Sequence, residues 1–202
     1  MYLRAASINI DDSTLVRQSQ GGDTVAMERL ILKYQNRIYN VILKMCGNPD
    51  DAAELAQETF VKVIESINTF KGRSGFYTWL FRIAVNLTLN YCQRSGRTTA
   101  RSLDSQGDGP DGEVKLLLKD FLQDERALDP ADVAQRHELC ELARQSLLKL
   151  DEPQRAVVVL RDIEGMSYAE IADVLNLELG TVRSRLSRAR SHLREILEAM
   201  LK

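Results

Sequence analysis

Arg183, Ser184, Ser187 and Arg188 fall at the three- and four-residue spacing that places side chains on one face of an α-helix, with Ser191 one turn further on. Arginine grips the N7 and O6 edge of guanine with two hydrogen bonds, and serine serves phosphates or either base type. Such a face suits the major groove of duplex DNA; on an isolated surface helix it would be only solvated. The preceding residues decide between these readings. Ser167-Tyr168-Ala169-Glu170 has the pattern of a capping box, in which Ser takes the Glu170 amide and Glu reaches back to the Ser amide. The short helix it opens holds Ile171, Ala172, Val174 and Leu175, and Asn176 supplies a left-handed stop. After the turn Leu177 to Gly180, a helix from Thr181 carries Val182, Leu186, Ala189, Leu193 and Leu197 inward. Two helices joined by a tight turn, the second with a basic outer face, are a helix-turn-helix.

Two further constellations are able to do chemistry. Asp51, Glu54 and Glu58 share a helical face with Gln57 at its edge, an acidic stripe expected to carry its charge unpaired. On pattern alone it reads as a solvated face; it also suits a basic partner, and paired carboxylates serve metals or acid–base work. The segment Phe70-Lys71-Gly72-Arg73-Ser74-Gly75-Phe76-Tyr77-Thr78-Trp79-Leu80-Phe81-Arg82 interleaves rings with cations. That mixture suits single-stranded nucleic acid, with planar faces for bases and charge for phosphates. Most of its aromatics are expected in the core, which leaves the polar loop residues and Asn86 for base contact. Arg82, Asn86 and Asn90, four apart, mark the side of their helix that does not pack. Nothing resembles a phosphate-cradling glycine loop, and His137 with Cys140 makes half a metal site at most. No metal or other cofactor is expected.

The elements that position these residues are helical. A short helix, which Asp12 or Ser13 could cap, ends at Gly21-Gly22. A long one from about Thr24 to Cys46 repeats Met27, Leu30, Ile31, Tyr34, Ile38, Val41, Ile42 and Met45 as one buried stripe. Gly47 ends it, and Asn48-Pro49-Asp50 caps a helix from about Asp51 to Ile67. After the loop Phe70–Gly75, a helix from about Phe76 to Gln93 carries Trp79, Leu80, Ile83, Ala84, Leu87 and Tyr91 on its apolar face. From Ser95 to about Pro130 the chain is rich in Ser, Gly, Asp and Pro and reads as a solvated tether, with Val114 to Leu122 able to turn helical in some context. Helices resume near Pro130; Asp151 caps one running to Glu164, and Gly165 stops it. The expected fold is all-α: two small helical domains joined by a flexible acidic linker, with boundaries 1–95, 96–130 and 131–202 and the helix-turn-helix in the second.

The 202 residues suffice for one ordinary domain or two small ones, and 28% charged residues with 44% hydrophobic ones exclude a wholly disordered chain. No apolar run approaches a membrane span, the start lacks the apolar core of a signal peptide, and the sparse cysteines Cys46, Cys92 and Cys140 suit reduced thiols; a cytoplasmic protein is expected. The net charge of −2 hides blocks. Asn68 to Leu103 holds six basic residues and no acidic one; Asp104 to Glu141 holds eleven acidic against four basic; Glu178 to Arg194 holds five arginines against one Glu. Local positive charge holds phosphates whatever the overall sum.

In combination, AAELAQETFVKV, FYTWLFRIAVNLTLNY and SYAEIADVLNLELGTVRSRLSRAR resemble extracytoplasmic-function (ECF) sigma factors of bacterial RNA polymerase, of the sigma-E type. The resemblance covers about Leu15–Gly96 and Leu139–Leu197. It implies a first domain that binds the polymerase clamp and the −10 promoter element, and a second that binds the −35 element as duplex and sits on the polymerase flap. By position, Asp51, Glu54, Gln57 and Glu58 become core-polymerase contacts. Phe70, Lys71, Arg73, Arg82 and Asn86 become −10 contacts, the loop forming a pocket for an unstacked base. Arg183, Ser184, Ser187 and Arg188 become the −35 base face, with Arg161, Tyr168 and Thr181 as phosphate anchors. The resemblance further implies an anti-sigma factor, often membrane-tethered, and neither enzymatic activity nor a small-molecule substrate; the acidic linker suits a basic channel. An alternative is a helix-turn-helix regulator that is no polymerase subunit, which leaves the acidic stripe and the basic aromatic helix unused. A nuclease would need Asp51, Glu54 and Glu58 as metal ligands.

Overall fold

The computed structural model describes residues 11–95 and 130–200, the side chains of 130–139 excepted. The acidic linker, its possible helix Val114–Leu122, and the side chain of His137 lie outside what it describes. Every regular element among the described residues is helical. The order is α1 (Asp12–Gln20), α2 (Thr24–Cys46), α3 (Pro49–Ser66), a 3₁₀ turn (Ile67–Thr69), α4 (Phe76–Arg94), α5 (Pro130–Lys149), α6 (Glu152–Val158), a π turn (Val159–Ile163), α7 (Tyr168–Leu175) and α8 (Leu179–Met200).

Local chemistry sets most of the ends. Asp23, Asn48 and Asp151 each accept backbone N–H groups of the turn they open, which satisfies donors a helix start leaves free. Pro follows Asn48 directly, where a missing N–H costs nothing. Gly47 closes α2 at φ 79°, and a Cβ there would stand 2.7 Å from Leu148 Cδ2, so both backbone and space require glycine. At α1 the expectation fails by one residue. Asp11 is the cap position and makes no side-chain capping bond, while Asp12 binds Lys33 and the Tyr34 hydroxyl.

The first domain, α1 to α4, packs on α2: Leu30, Ile38, Val41 and Ile42 meet Leu80, Phe81, Ala84 and Val85 in its core. The second packs α8 against α5, α6 and α7, burying Leu147, Val157, Leu160, Ile171, Val182, Leu186 and Leu193. Asp162 and Arg190 are both buried there, joined by two hydrogen bonds of 2.6 and 3.1 Å. A buried pair of this kind costs several kcal/mol when one partner is lost, roughly 3–5.

The two domains also meet along a seam that periodicity did not foretell. α4 packs on α7, and α2 on α5 and on the π turn. Arg155, only 7% exposed, crosses the seam to the Met45 carbonyl and also donates to Leu147, Leu148 and Leu150. Glu164 accepts from Arg37 at 2.7 Å and from the Tyr77 hydroxyl at 3.3 Å. Cys46 and Cys92 are buried beside Arg155 in a cavity at this seam, and Cys140 is half-buried.

Candidate nucleic-acid interface

The second domain shows how local sequence builds a reading helix. Ser167 and Glu170 complete the capping box: the Ser167 hydroxyl accepts the Glu170 amide at 3.2 Å, and Glu170 accepts the Ser167 amide at 2.8 Å. Asn176 ends α7 in the left-handed region at φ 52°, a conformation asparagine tolerates. The turn is shorter than expected, since α8 begins at Leu179, two residues before Thr181. Val182, Leu186, Ala189 and Leu193 anchor α8 inward, which turns Arg183, Ser184, Ser187 and Arg188 to solvent. Arg190 is turned the other way, buried and paired with Asp162, so one of the five arginines counted between Glu178 and Arg194 is withdrawn from solvent.

The Tyr168 ring joins one proposed anchor, Arg161, to one residue of the base face, Arg183. The Arg161 guanidinium lies 4.8 Å and that of Arg183 5.9 Å from the centre of the Tyr168 ring, distances at which a cation is drawn to a π face. Arg161 also donates to the Met166 carbonyl at 2.6 Å, while its buried Nε has no hydrogen-bond partner among the described residues. Thr181 is half-buried at the start of α8, and its carbonyl accepts the Ser184 hydroxyl at 3.1 Å.

In the first domain the loop Phe70–Gly75 projects Lys71 and Arg73 into solvent, and Gly72 turns its tip at φ 68° with open space around it. Phe70 meets Phe76 edge-on and Trp79 at a tilt, with centroids 6.0 and 5.2 Å away, so it serves as the loop's root. Phe76 and Phe81 are buried as expected; Tyr77 and Trp79 are half-covered. Asn86 is exposed on α4, and so is Asn90. Arg82 is not on an open face: it pairs with Asp173 of α7 across the seam, and its buried Nε has no hydrogen-bond partner among the described residues. The expected non-packing side of α4 is therefore open at Asn86 and Asn90 and closed at Arg82.

On α3, Glu54, Gln57 and Glu58 are exposed and Asp51 is half-covered. The stripe is less bare than expected, since Lys62, one turn on, approaches Glu58 to 3.6 Å. Sequence reasoning missed its continuation. Val61 and Ile64, about half exposed, follow Glu54, Gln57 and Glu58 at three- and four-residue steps. Two large apolar residues left in water on the face their acidic neighbours occupy are suited to a partner surface. Valine and isoleucine beside the core residue Val63 look like core in a list of residues, which is why the signal was hidden. Among the described residues, no three His, Cys, Asp or Glu side chains are grouped so as to hold a metal ion.

A two-domain helical protein with a helix-turn-helix, a ring-and-cation loop and an acid-apolar helix face is a DNA-binding protein built to meet more than one partner. Family models of Sigma-70 region 2 and Sigma-70 region 4 match residues 30–98 and 140–193. The chain is 37% identical over 191 residues to the RNA polymerase sigma-H factor of Pseudomonas aeruginosa, covering 95% of this chain and 96% of that one. It is 32% identical to the ECF RNA polymerase sigma-E factor of Haemophilus influenzae, covering 95% and 98%. The fold matches, at TM-score 0.59 and 23% identity, the sigma factor RpoE of Bartonella quintana solved in complex with the anti-sigma factor NepR, over 85% of this chain and 96% of that one. The chain belongs to the ECF family of RNA polymerase sigma factors. Its role is promoter-specific transcription initiation.

Proposed function

We propose that the chain docks on core RNA polymerase through the outer face of α3 and reads promoters with both domains. The observation that carries this reading is the shared stripe of Glu54, Gln57, Glu58, Val61 and Ile64, exposed on a helix whose other face is core. A helix-turn-helix regulator that works alone has no use for such a face. Charge steers the encounter with a basic surface, and the two apolar side chains contribute once water is excluded.

α8 reads the −35 element as duplex: Arg183, Ser184, Ser187 and Arg188 face base edges, while Arg161, Tyr168 and Thr181 hold the flanking phosphates. The loop from Phe70 and the exposed face of α4 read the −10 element after strand separation. Lys71 and Arg73 hold the backbone, and Asn86 offers both donor and acceptor to a base edge that duplex DNA hides. Arg82 joins them by exchanging Asp173 for phosphate. Favourable binding of unstacked bases offsets the cost of opening, so the role needs no bond-making active site.

No helix among the described residues is long and apolar enough to cross a membrane. The reading places the protein in the cytoplasm with the polymerase, and an anti-sigma factor masking both domains is its proposed regulator. Reconstituted transcription tests the proposal. Core polymerase plus this chain, given a genomic library, is expected to start at promoters sharing a −35 and a −10 motif. A chain that binds DNA but never joins core would return the alternative of an independent regulator.

A further inference from the structure

We infer that Gln20, the last residue of α1, is a positioning residue for the −10 loop. The inference rests on the reading of that loop given above. The Gln20 carboxamide places its Nε2 group 2.9 Å from the Ile67 carbonyl and 2.9 Å from the Phe70 carbonyl. An amide nitrogen has two N–H groups, so both are spent on the carbonyls that bracket the 3₁₀ turn. The turn's own closing bond, from the Phe70 amide to the Ile67 carbonyl at 3.1 Å, brings those two acceptors together.

The geometry gives the amide leverage over residues it does not touch. Phe70 leaves the turn in extended conformation, with ψ 114°. The plane of its carbonyl therefore sets the direction in which Lys71, Gly72 and Arg73 depart. At the tip, no described atom beyond its chain neighbours lies within 4 Å of where a Gly72 Cβ would stand, so that side of the loop is open. Direction is imposed at the root, by two devices on two sides: the Phe70 ring is held by Phe76 and Trp79, and the Phe70 backbone by Gln20. The amide is itself held, because Leu15, Val16 and Ser19 bury α1 against the domain. α1, which carries none of the proposed contacts, thereby belongs to the strand-reading apparatus.

Two substitutions separate positioning from bulk. Gln20→Ala removes both donors; Gln20→Glu keeps length and shape but turns acceptors toward two carbonyls. Each variant is loaded onto core polymerase, and the wild-type holoenzyme is first used to select a preferred sequence from a randomised single-stranded DNA pool. The readout is the ratio of affinities for the selected strand and for the unselected pool. Loss of two neutral hydrogen bonds predicts a fall in that ratio of about tenfold in Gln20→Ala, and at least as much in Gln20→Glu. Core affinity, helical content and binding of duplex −35 DNA stay at wild-type levels. An unchanged ratio in both variants overturns the inference, as does an equal loss of duplex and core binding, which would mark Gln20 as merely structural. Lys71→Ala and Arg73→Ala run alongside as controls: as backbone contacts they lower the affinity for the selected strand and for the pool alike, and if they leave both affinities intact, the loop reading itself falls and the inference with it.

Discussion

Replacing Arg155 by methionine is expected to loosen the seam between the two domains. Its guanidinium donates to four carbonyls: Met45 at the end of α2, Leu147 and Leu148 at the end of α5, and Leu150 just beyond. A cation at two helix C-termini also meets the negative ends of two dipoles. Burial pushes the Arg155 guanidinium below its ordinary value, with the thiol of Cys92 and the carboxylate of Glu152 pulling the other way. Methionine fills similar volume without donors. Leu147 keeps a backbone N–H from Leu150 at 3.2 Å, which leaves the Met45, Leu148 and Leu150 carbonyls without this donor. At about 1–3 kcal/mol for each buried acceptor left bare, with partial rehydration at the seam, the loss comes to roughly 3–5 kcal/mol. Urea unfolding followed both by far-ultraviolet circular dichroism and by fluorescence of Trp79, the single tryptophan, reads this directly. Trp79 reports the first domain alone, so the two curves coincide in the wild type and separate in Arg155→Met. Arg155→Lys, which keeps the charge and loses the fork, is expected midway. A loss under about 1 kcal/mol with coincident curves would refute the assignment of Arg155 as the fastening across the seam.

Three other outcomes are expected. Arg188→Ala weakens −35 binding by about 1–3 kcal/mol and relaxes preference at one or two base pairs, whereas Arg161→Ala weakens all sequences alike and lowers the salt slope by about one; footprints across a substituted −35 series tell them apart. Asp162→Asn removes the buried carboxylate charge that faces Arg190 and costs roughly 3 kcal/mol, read as a shift of the urea midpoint at unchanged slope. Stability declines as pH rises past about 10, the ordinary tyrosine value. The sign follows because burial, aided by Asp12 at Tyr34 and by Glu164 at Tyr77, raises both phenols, so the folded chain holds protons that the unfolded chain has released. Tyr34→Phe with Tyr77→Phe should flatten that alkaline limb of the unfolding profile.

What could be read in advance was local. The stripe of α2, the caps at Asn48, Asp151 and Ser167, and the stops at Gly47 and Asn176 each depend on residues within one or two turns, and they appear where spacing put them. The exposed face of α8 followed from the inward set of Val182, Leu186, Ala189 and Leu193. Contacts between distant residues were hidden. Arg190 sits 28 residues from Asp162; its place four after Leu186 and three before Leu193 turns it inward, but no periodicity names the carboxylate that meets it there. Arg82 and Asp173 belong to different domains, and their pairing depends on how α4 meets α7. The π turn at Val159–Ile163 went unforeseen because a run of buried aliphatic residues carries no mark of one extra residue per turn.

The most direct measurement is the affinity for core RNA polymerase of the double variant Glu54→Lys with Glu58→Lys. Both side chains are exposed, so helical content and unfolding temperature are expected near wild type. Fluorescence titration of labelled core against each chain gives the constants. The account predicts that reversing two charges on the docking face abolishes holoenzyme formation while duplex −35 binding by α8 persists. Wild-type affinity for core in the double variant would contradict it.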